Sequence, residues 1–327
     1  MLEESVQETQ KLVAHFGNSM SSKKPTIWTS REEAASYVKE NVDAILFDCD
    51  GVLYRGKDLS PNASEALKTL LKNDKKCFFV TNNAAMNRQQ LQSKISEMMD
   101  CDGLTVDQMV GSTYACSQYL TNNLPSGSRV HVVGSEGLCA EIQQAGFIVS
   151  GGSCTDQPAS LSRDELADYD FPENPVDAVC VGLDTAFNYR KLAIANVLLQ
   201  QNPNALFIST NQDSFDLVGA DGRHLPGNGC IVKALEHGSR RMSINVGKPS
   251  PVLAQMIIEE HNLNPARTMF VGDRLDTDIK FGEDSGMISV LVMSGVTTAK
   301  KILSLGDTGT SEEPIPQIIM PYMGLLA

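Results

Sequence analysis

An apolar run that ends in two aspartates is the feature of this sequence that restricts its fold most. Ile45, Leu46 and Phe47 lead directly into Asp48-Cys49-Asp50-Gly51. A run of this kind, bounded by a turn signal, is typical of a buried strand in a parallel sheet. Asp48 and Asp50 are therefore predicted at the carboxyl end of a strand, which is where open α/β sheets bind their ligands. For this segment alone, an acidic turn without a catalytic role is an alternative.

The length, net charge and cysteine content of the sequence indicate the number of domains, the partners that are unfavourable and the redox state of the thiols. The 327 residues are enough for two domains, and 42% of them are hydrophobic. The formal net charge of -13 argues against nucleic acid and anionic membranes as partners, although local cations can still bind an anionic substrate. We find no apolar run of about 18 residues and no secretory signal. The eight cysteines form no C-x-x-C pair, so reduced thiols in a cytoplasmic protein are expected and zinc is not.

Predicted strands and helices alternate along most of the chain. Strands of the main sheet are expected at 44–48, 77–80, 246–248, 268–271 and 288–293. A similar alternation in the middle of the chain predicts a second sheet. This pattern favours parallel strands with right-handed crossovers. We therefore predict an α/β fold in which a doubly wound parallel-sheet core (30–112 and 226–327) carries an inserted α/β domain (113–225), after a loosely held helix or a disordered lead-in (1–29).

Polar residues follow four of the predicted core strands. They are Asp48 and Asp50, Thr81 and Asn82, Lys248, and Asp273. The carboxyl ends of parallel strands share one edge of a sheet, so we expect these side chains to converge. Each segment also has a structural alternative, because Thr81-Asn82-Asn83 has a common turn composition, Lys248 could be solvated in a turn, and 272–278 could be an acidic helix start.

Together these groups suit the transfer of a phosphoryl group. Asp48 can attack phosphorus as a nucleophile, and Asp50 can protonate the leaving oxygen and later activate water. Mg²⁺, which prefers oxygen ligands, would relieve the repulsion among Asp48, Asp273 and the phosphate. Thr81 and Asn82 would donate hydrogen bonds to phosphate oxygens, and the ammonium group of Lys248 would supply positive charge.

The four segments resemble the four motifs of the haloacid dehalogenase superfamily. The matching stretches are Asp48-Cys49-Asp50-Gly51-Val52, Thr81-Asn82-Asn83, Gly247-Lys248-Pro249 and Gly272-Asp273-Arg274-Leu275-Asp276-Thr277-Asp278. The sequence is most similar to the branch that contains p-nitrophenyl phosphatases, phosphoglycolate phosphatases and pyridoxal phosphatases, which is also called NagD-like. This resemblance implies a Rossmann-like core with a C2-type cap inserted between the second and third motifs. It also implies Mg²⁺-dependent hydrolysis of phosphomonoesters through an aspartyl phosphate.

The resemblance also implies roles for individual residues. Asp48 is the nucleophile and a metal ligand, and Asp50 is the acid and base and contributes its backbone carbonyl to the metal. Asp273 ligates the metal, and Asp278 supports the site without contacting the ion directly. Residues expected to bind the phosphate are Gly51, Thr81, Asn82, Asn83 and Lys248.

In this family the cap covers the core site and contacts the leaving group. Candidates in the predicted cap are Asp184, Phe187, Asn188, Tyr189, Asn211, Asp213 and His224. A structural role is the alternative for each of them. Related caps also pair into dimers, so a homodimer through the cap is a hypothesis, which the apolar strand at 179–181 motivates.

The sequence thus predicts a cytoplasmic, Mg²⁺-dependent phosphatase of small phosphorylated metabolites. Two alternatives stay open. One is a phosphotransferase or phosphomutase that uses the same aspartyl phosphate, and the other is a non-catalytic binding protein on the same scaffold. The physiological substrate is not predicted, because phosphoglycolate, pyridoxal phosphate, a nucleoside monophosphate and a sugar phosphate all fit the motifs.

Overall fold

The chain folds into two units, each built on its own parallel sheet. The computed structural model describes residues 2–16, 24–152, 162–218, 223–308 and 314–327. The first unit comprises residues 1–81, 92–110 and 248–327, and the second comprises residues 82–91 and 111–247. An α/β fold with a doubly wound core and a large insertion is therefore confirmed, while the bounds of the insertion differ from the predicted 113–225.

The described residues contain sixteen strands. In chain order they are β1 (Thr26–Ile27), β2 (Ala44–Phe47), β3 (Tyr54–Arg55), β4 (Asp58–Leu59), β5 (Lys76–Thr81), β6 (Met109–Gly111), β7 (Arg129–Val133), β8 (Ile148–Gly151), β9 (Ala178–Val181), β10 (Leu206–Ser209), β11 (Phe215–Val218), β12 (Arg223–Pro226), β13 (Ile244–Asn245), β14 (Thr268–Gly272), β15 (Ile288–Val292) and β16 (Ile318–Met320).

Twelve α-helices accompany these strands in the described part of the chain. They are α1 (Leu2–Phe16), α2 (Arg31–Asn41), α3 (Ala63–Lys72), α4 (Arg88–Met99), α5 (Ser112–Asn123), α6 (Glu136–Gln144), α7 (Arg163–Ala167), α8 (Tyr189–Gln201), α9 (Asn228–Ser239), α10 (Pro251–His261), α11 (Lys280–Asp284) and α12 (Ala299–Thr308). A π-helical segment, Leu275–Ile279, precedes α11. None of the helices in these described ranges is long and apolar enough to cross a membrane.

A seven-stranded sheet in the order β1-β16-β15-β14-β2-β5-β6 forms the centre of the first unit. The strands β14, β2 and β5 lie side by side and run parallel, with Phe47 paired to Val271 on one side and to Phe79 on the other. All residues of β2 and β14 are buried, which explains why both read as apolar runs in the sequence. The residues that follow these strands therefore emerge at one edge of the sheet.

The predicted loosely held helix or disordered lead-in over 1–29 contains an ordered helix and a strand, while residues 1 and 17–23 lie outside the described part of the chain. Residues 2–16 form α1, and its Leu12 is fully buried in an apolar cluster of the first unit. Strand β1 pairs with β16 in a parallel arrangement and extends the sheet at its edge. The buried Trp28 follows this strand. Residues 2–16 and 24–29 are therefore part of the first unit.

The second unit has a five-stranded sheet in the order β13-β10-β9-β7-β8. Its apolar core includes Val179 and Val181 of β9, and Ile231, Val232 and Leu235 of α9. Because α9 packs in this core and β13 pairs with β10, the unit continues to Gly247. Helix α9 and β13 were predicted in the main core, from residue 226 onward, so this part of the prediction differs from the structure.

Candidate active site

Asp48 emerges from the centre of the main sheet. Its backbone amide donates a hydrogen bond to the carbonyl oxygen of Val271 at 2.9 Å, which continues the pairing of β2 with β14. The side chain of Asp48 is buried. Two residues later Asp50 is exposed at the start of the turn. The pairing of the two strands thus fixes a buried carboxylate beside a second one that solvent can reach.

Lys248 brings its ammonium group to two buried carboxylates. Its Nζ donates hydrogen bonds to Oδ1 of Asp48 at 2.5 Å and to Oδ1 of Asp278 at 2.7 Å. All three side chains are buried. The position of Lys248 does not come from a strand of the main sheet, because β13 belongs to the other sheet. Lys248 instead lies two residues before Ser250, the N-cap of α10, whose side chain accepts a hydrogen bond from the amide of Val252.

Asp273 and Asp278 are held by backbone amides. The carboxylate oxygen Oδ2 of Asp278 accepts hydrogen bonds from the amides of Asp273 at 3.0 Å and Arg274 at 3.1 Å. Oδ2 of Asp273 in turn accepts one from the amide of Val296 at 2.7 Å. Both acids are buried, so these amides and Lys248 offset part of the free energy that burial of the charges costs.

Two glycines give Asp273 the room that it occupies. Gly51 has φ +87°, a conformation that glycine adopts without strain, and a Cβ atom there would overlap the carboxylate of Asp273. A Cβ atom on Gly295 would overlap the same carboxylate. The hydroxyl of Ser294 donates a hydrogen bond to the carbonyl oxygen of Gly51 at 2.8 Å, which ties the two loops together. A side chain at either glycine would displace Asp273.

The acids form a site that fits Mg²⁺. One carboxylate oxygen from each of Asp48, Asp273 and Asp278 lies within 4.8 Å of the other two. Within the described residues, Oδ1 of Asp273 is buried and receives no hydrogen bond. A buried carboxylate oxygen without a donor is unfavourable unless a cation satisfies it. Oxygen ligands of this kind suit Mg²⁺, and the oxygens of Asp278 are already used by Lys248 and the two amides.

Burial and charge shift the protonation of this cluster. Burial raises the pKa of Asp48 from 3.8 to about 7, although the neighbouring Lys248 acts in the opposite direction. Burial and the nearby Asp278 and Asp48 also raise the pKa of Asp273 well above its ordinary value. For Lys248, burial acts to lower the pKa, but Asp278 and Asp48 outweigh it, so the net shift is upward. The lysine therefore stays charged, and the acids favour a further cation.

The second predicted motif is divided between buried and exposed residues. Thr81 is the buried last residue of β5, and Asn82 is buried directly after it. The side-chain nitrogen Nδ2 of Asn82 donates hydrogen bonds to both carboxylate oxygens of Asp213, at 3.1 and 3.2 Å. Asn83 is exposed, and its side-chain oxygen accepts a hydrogen bond from the amide of Ala85. Asn82 and Asp213 both belong to the second unit, so the side-chain amide of Asn82 is held within that unit.

Three of the cap candidates have structural contacts within the second unit. Asp184 is buried and pairs with Lys191 at 2.5 Å. The side chain of Asn188 caps α8 by accepting a hydrogen bond from the amide of Lys191. Phe187 is half-buried against the apolar core. These contacts give each of the three residues a structural role that does not require a ligand.

The remaining cap candidates differ in exposure. Tyr189 is 58% exposed. Asn211 is buried, and its Nδ2 donates a hydrogen bond to the carbonyl oxygen of Asn82 at 2.8 Å. His224 is exposed on β12, and its ring is stacked on Phe215 with centroids 4.0 Å apart. Of these three candidates, Tyr189 and His224 have exposed side chains, whereas Asn211 is buried.

The loop after β15 contributes to the site, although the sequence motifs do not include it. Ser294, Gly295 and Val296 each contact the acid site or its turn, through a hydroxyl, a close approach and an amide. The strand at 288–293 was predicted, so polar residues at its carboxyl end could have been included by the same rule that selected Asp48 and Asp273. The amide of Val296 carries no signal in the sequence, because every residue except proline has one.

Comparison with known proteins identifies relatives over most of the chain. Residues 45–148 match the family described as haloacid dehalogenase-like hydrolase, and residues 245–314 match one described as HAD-hydrolase-like. Phosphoglycolate phosphatase 2 of Arabidopsis thaliana is 37% identical over 277 residues, which cover 84% of this chain and 89% of that protein.

Several solved structures with the same fold are phosphatases. The 4-nitrophenylphosphatase of Thermotoga maritima has a TM-score of 0.73 at 25% identity, covering 88% of this chain and 97% of that one. A glycerol phosphate phosphatase of Mycobacterium tuberculosis, in complex with magnesium, has a TM-score of 0.70 at 26% identity. The match covers 88% of this chain and 77% of that one.

Proposed function

This chain belongs to the haloacid dehalogenase-like hydrolase family, and we propose that Asp48 is the nucleophile of its reaction and Asp50 the acid and base. The enzyme is a phosphomonoester hydrolase of small phosphorylated metabolites, and its cofactor is Mg²⁺. The observation that supports these residue roles is the contact of Lys248 with Asp48 in one buried cluster with Asp273.

The proposed reaction has two steps. In the first, a carboxylate oxygen of Asp48 attacks phosphorus, the bond from phosphorus to the leaving oxygen breaks, and Asp50 donates a proton to that oxygen. In the second, Asp50 accepts a proton from water as the water attacks phosphorus. The bond from phosphorus to Asp48 then breaks, so inorganic phosphate leaves and both carboxyl groups return to their starting states.

Other residues of the cluster hold these groups in place. Lys248 keeps a positive charge beside the attacking oxygen of Asp48. Asp48 and Asp273 would hold the metal, together with the backbone carbonyl of Asp50. When bound, Mg²⁺ supplies positive charge that offsets the repulsion between carboxylates and phosphate. Phosphate binding by Gly51, Thr81, Asn82 and Asn83 is a proposal that rests on their motifs.

The role of Asp50 can be tested by changing the leaving group. Asp50→Asn removes the proton donor, so hydrolysis of an alkyl phosphate should fall more than hydrolysis of p-nitrophenyl phosphate, whose leaving group needs little protonation. We expect the difference to be about 10-fold or more, since general acid catalysis contributes roughly 10²–10⁴-fold. An equal decrease with both substrates, measured as kcat/KM with saturating Mg²⁺, would show that Asp50 is not the acid.

We propose small aliphatic phosphomonoesters as the substrate class. The Arabidopsis relative is named for phosphoglycolate and the Mycobacterium structure for glycerol phosphate, and both molecules are small alcohol phosphates. A panel of phosphorylated metabolites ranked by kcat/KM tests this, with pyridoxal phosphate and nucleoside monophosphates as competitors. Substrate roles for Asp184, Phe187, Tyr189, Asn211 and His224 are proposals. Tyr189→Ala and His224→Ala test the two exposed residues by their effect on KM.

A homodimer and a cytoplasmic location are further proposals. The strand at 179–181, which motivated the dimer, lies inside the second sheet between β10 and β7, so it offers no surface. Ile148 on the edge strand β8 is 57% exposed and is the better candidate. Ile148→Lys should convert a dimer to a monomer in light scattering. All described cysteines are free, which supports the cytoplasm, and cell fractionation tests it.

A further inference from the structure

We propose that the N-terminal helix α1 positions the acids of the metal site, with Glu8 as a positioning residue for Asp273. Glu8 does not belong to the acid cluster. It would act on Asp273 through the start of helix α12 and the loop that precedes this helix. This role rests on the proposed function of Asp273 as a metal ligand. Helix α1 would then orient a metal ligand in addition to packing against the core.

The side chain of Glu8 accepts a hydrogen bond from the first backbone amide of helix α12. The amide of Ala299 donates a hydrogen bond to Oε2 of Glu8 at 2.6 Å. The first four amides of a helix have no partner inside the helix, and the helix dipole favours a negative charge at this end. Lys11, on the same face of α1, pairs with Oε1 of Glu8. The carboxylate is therefore held from both sides.

The loop before α12 is the loop that holds Asp273. The amide of Val296 donates a hydrogen bond to Oδ2 of Asp273 at 2.7 Å, and the amide of Thr297 donates one to its backbone oxygen at 3.2 Å. Only Thr298 separates Thr297 from Ala299, so Glu8 fixes the far end of this short loop. Partners of metal ligands set the orientation of the ligands, and a displaced loop would turn Asp273 away from the ion.

A second contact of α1 reaches the segment that carries Asp278. Leu12 is fully buried and packs in one apolar cluster with Leu275 and Ile279. Both residues belong to the π-helical segment Leu275–Ile279, as does Asp278. Because closely packed interiors transmit displacements, docking of α1 supports the second acid as well. Helix α1 thus supports Asp273 through the loop before α12 and Asp278 through the packing of Leu12.

Titration of the metal-free protein with MgCl₂ in a calorimeter tests this role. Glu8→Ala should weaken Mg²⁺ binding about 3- to 10-fold, less than the roughly 10–100-fold that loss of a direct partner of a ligand produces. Glu8→Gln keeps an oxygen acceptor for Ala299 and should recover part of the affinity. The KM for p-nitrophenyl phosphate should not change, because Glu8 does not contact the substrate in this account.

Glu3→Gln is the matched control, since Glu3 is an exposed acid on the same helix. It should bind Mg²⁺ as the wild type does. Wild-type affinity in Glu8→Ala together with a lower melting temperature would show that α1 only stabilises the fold, and would overturn the proposal. If Glu8→Ala does not fold, Glu8→Asp, whose side chain is one methylene shorter, replaces it with the same expectation.

Asp273→Asn separates this proposal from the function on which it rests. If Asp273→Asn leaves Mg²⁺ affinity unchanged, the proposed metal ligand is wrong. If Asp273→Asn weakens binding but Glu8→Ala does not, only the role of Glu8 is wrong. Weaker binding in both variants, with a larger effect for Asp273→Asn, is the result that supports the proposal.

Discussion

The ammonium nitrogen of Lys248 lies 2.5 Å from Oδ1 of Asp48, a residue 200 positions earlier in the chain. Both side chains are buried, and the same nitrogen also contacts Asp278. A buried lysine between two carboxylates neutralises part of their repulsion and fixes the orientation of the proposed nucleophile. Removal of Lys248 takes this cation from two buried carboxylates, so the contact should affect both stability and turnover.

Lys248→Met should therefore damage the enzyme in two ways. The unfolding free energy should fall by about 3–5 kcal/mol, since this is the usual effect of breaking a buried ion pair. At saturating Mg²⁺, kcat should fall by about 10²-fold or more, because a positive group beside the reacting oxygen is lost. Urea unfolding and steady-state kinetics measure the two effects. Lys72→Met, at an exposed lysine of α3, is the control and should change neither.

The protonation of Asp48 predicts a pH dependence of stability. Burial raises its pKa from 3.8 to about 7, so the folded chain binds this proton more tightly than the unfolded chain. The contribution of Asp48 to folding is then fully present below pH 3.8 and is lost as the pH rises towards 7. Without Mg²⁺, the unfolding free energy of the wild type relative to Asp48→Asn should decrease over this range.

Added Mg²⁺ should reverse that trend. The metal binds the ionised carboxylate, so its binding strengthens as Asp48 loses its proton and stabilises the folded chain at higher pH. Chemical unfolding at several pH values, with and without the metal, measures both slopes. A difference between wild type and Asp48→Asn that does not vary between pH 4 and 7 without Mg²⁺ would contradict the assignment of this pKa.

Gly295→Ala should impair activity through Asp273. The added Cβ atom would overlap the carboxylate of Asp273 and displace it from the site. We expect kcat/KM for p-nitrophenyl phosphate to fall about 10-fold or more, comparable to the loss of a partner that orients a metal ligand. Gly103→Ala is the matched control, because nothing lies within 4 Å of a Cβ atom there. Equal activity in the two variants would show that Asp273 tolerates displacement.

Leu12→Ala should destabilise the protein although Leu12 lies near the chain start. The side chain is fully buried against Leu275, Ile279 and other residues of the first unit. Truncation of a buried leucine lowers the unfolding free energy by roughly 2–5 kcal/mol. Val13→Ala, at a residue that is 40% exposed, should have a much smaller effect. Similar unfolding midpoints for both variants would mean that α1 does not dock as described.

The positions of Asp48 and Asp273 were predictable from sequence because each follows a strand that is buried along its whole length. Continuous apolar runs of this kind have few alternatives in an α/β protein. Lys248 was placed correctly beside the acids but for an incorrect reason. The residues before it form β13, which pairs with β10 in the second sheet rather than with the core. Short edge strands carry too few residues to reveal their partner.

The docking of α1 could not be predicted from its pattern of apolar residues. Its buried face includes Ser5 and Thr9 as well as Leu12. Their hydroxyls donate hydrogen bonds to the backbone oxygens of Leu2 and Ser5, at 3.0 and 2.8 Å, so the polar groups are satisfied within the helix. Because only Leu12 of the three buried residues of α1 is apolar, the sequence does not show that this helix packs against the core.

Turnover of Asp48→Asn tests the central claim most directly. The initial rate of p-nitrophenyl phosphate hydrolysis should be measured with saturating Mg²⁺ for wild type, Asp48→Asn and the exposed control Asp102→Asn. If Asp48 is the nucleophile, its variant should lose more than about 10³-fold in kcat while folding normally, and Asp102→Asn should match the wild type. Near wild-type turnover in Asp48→Asn would contradict the account.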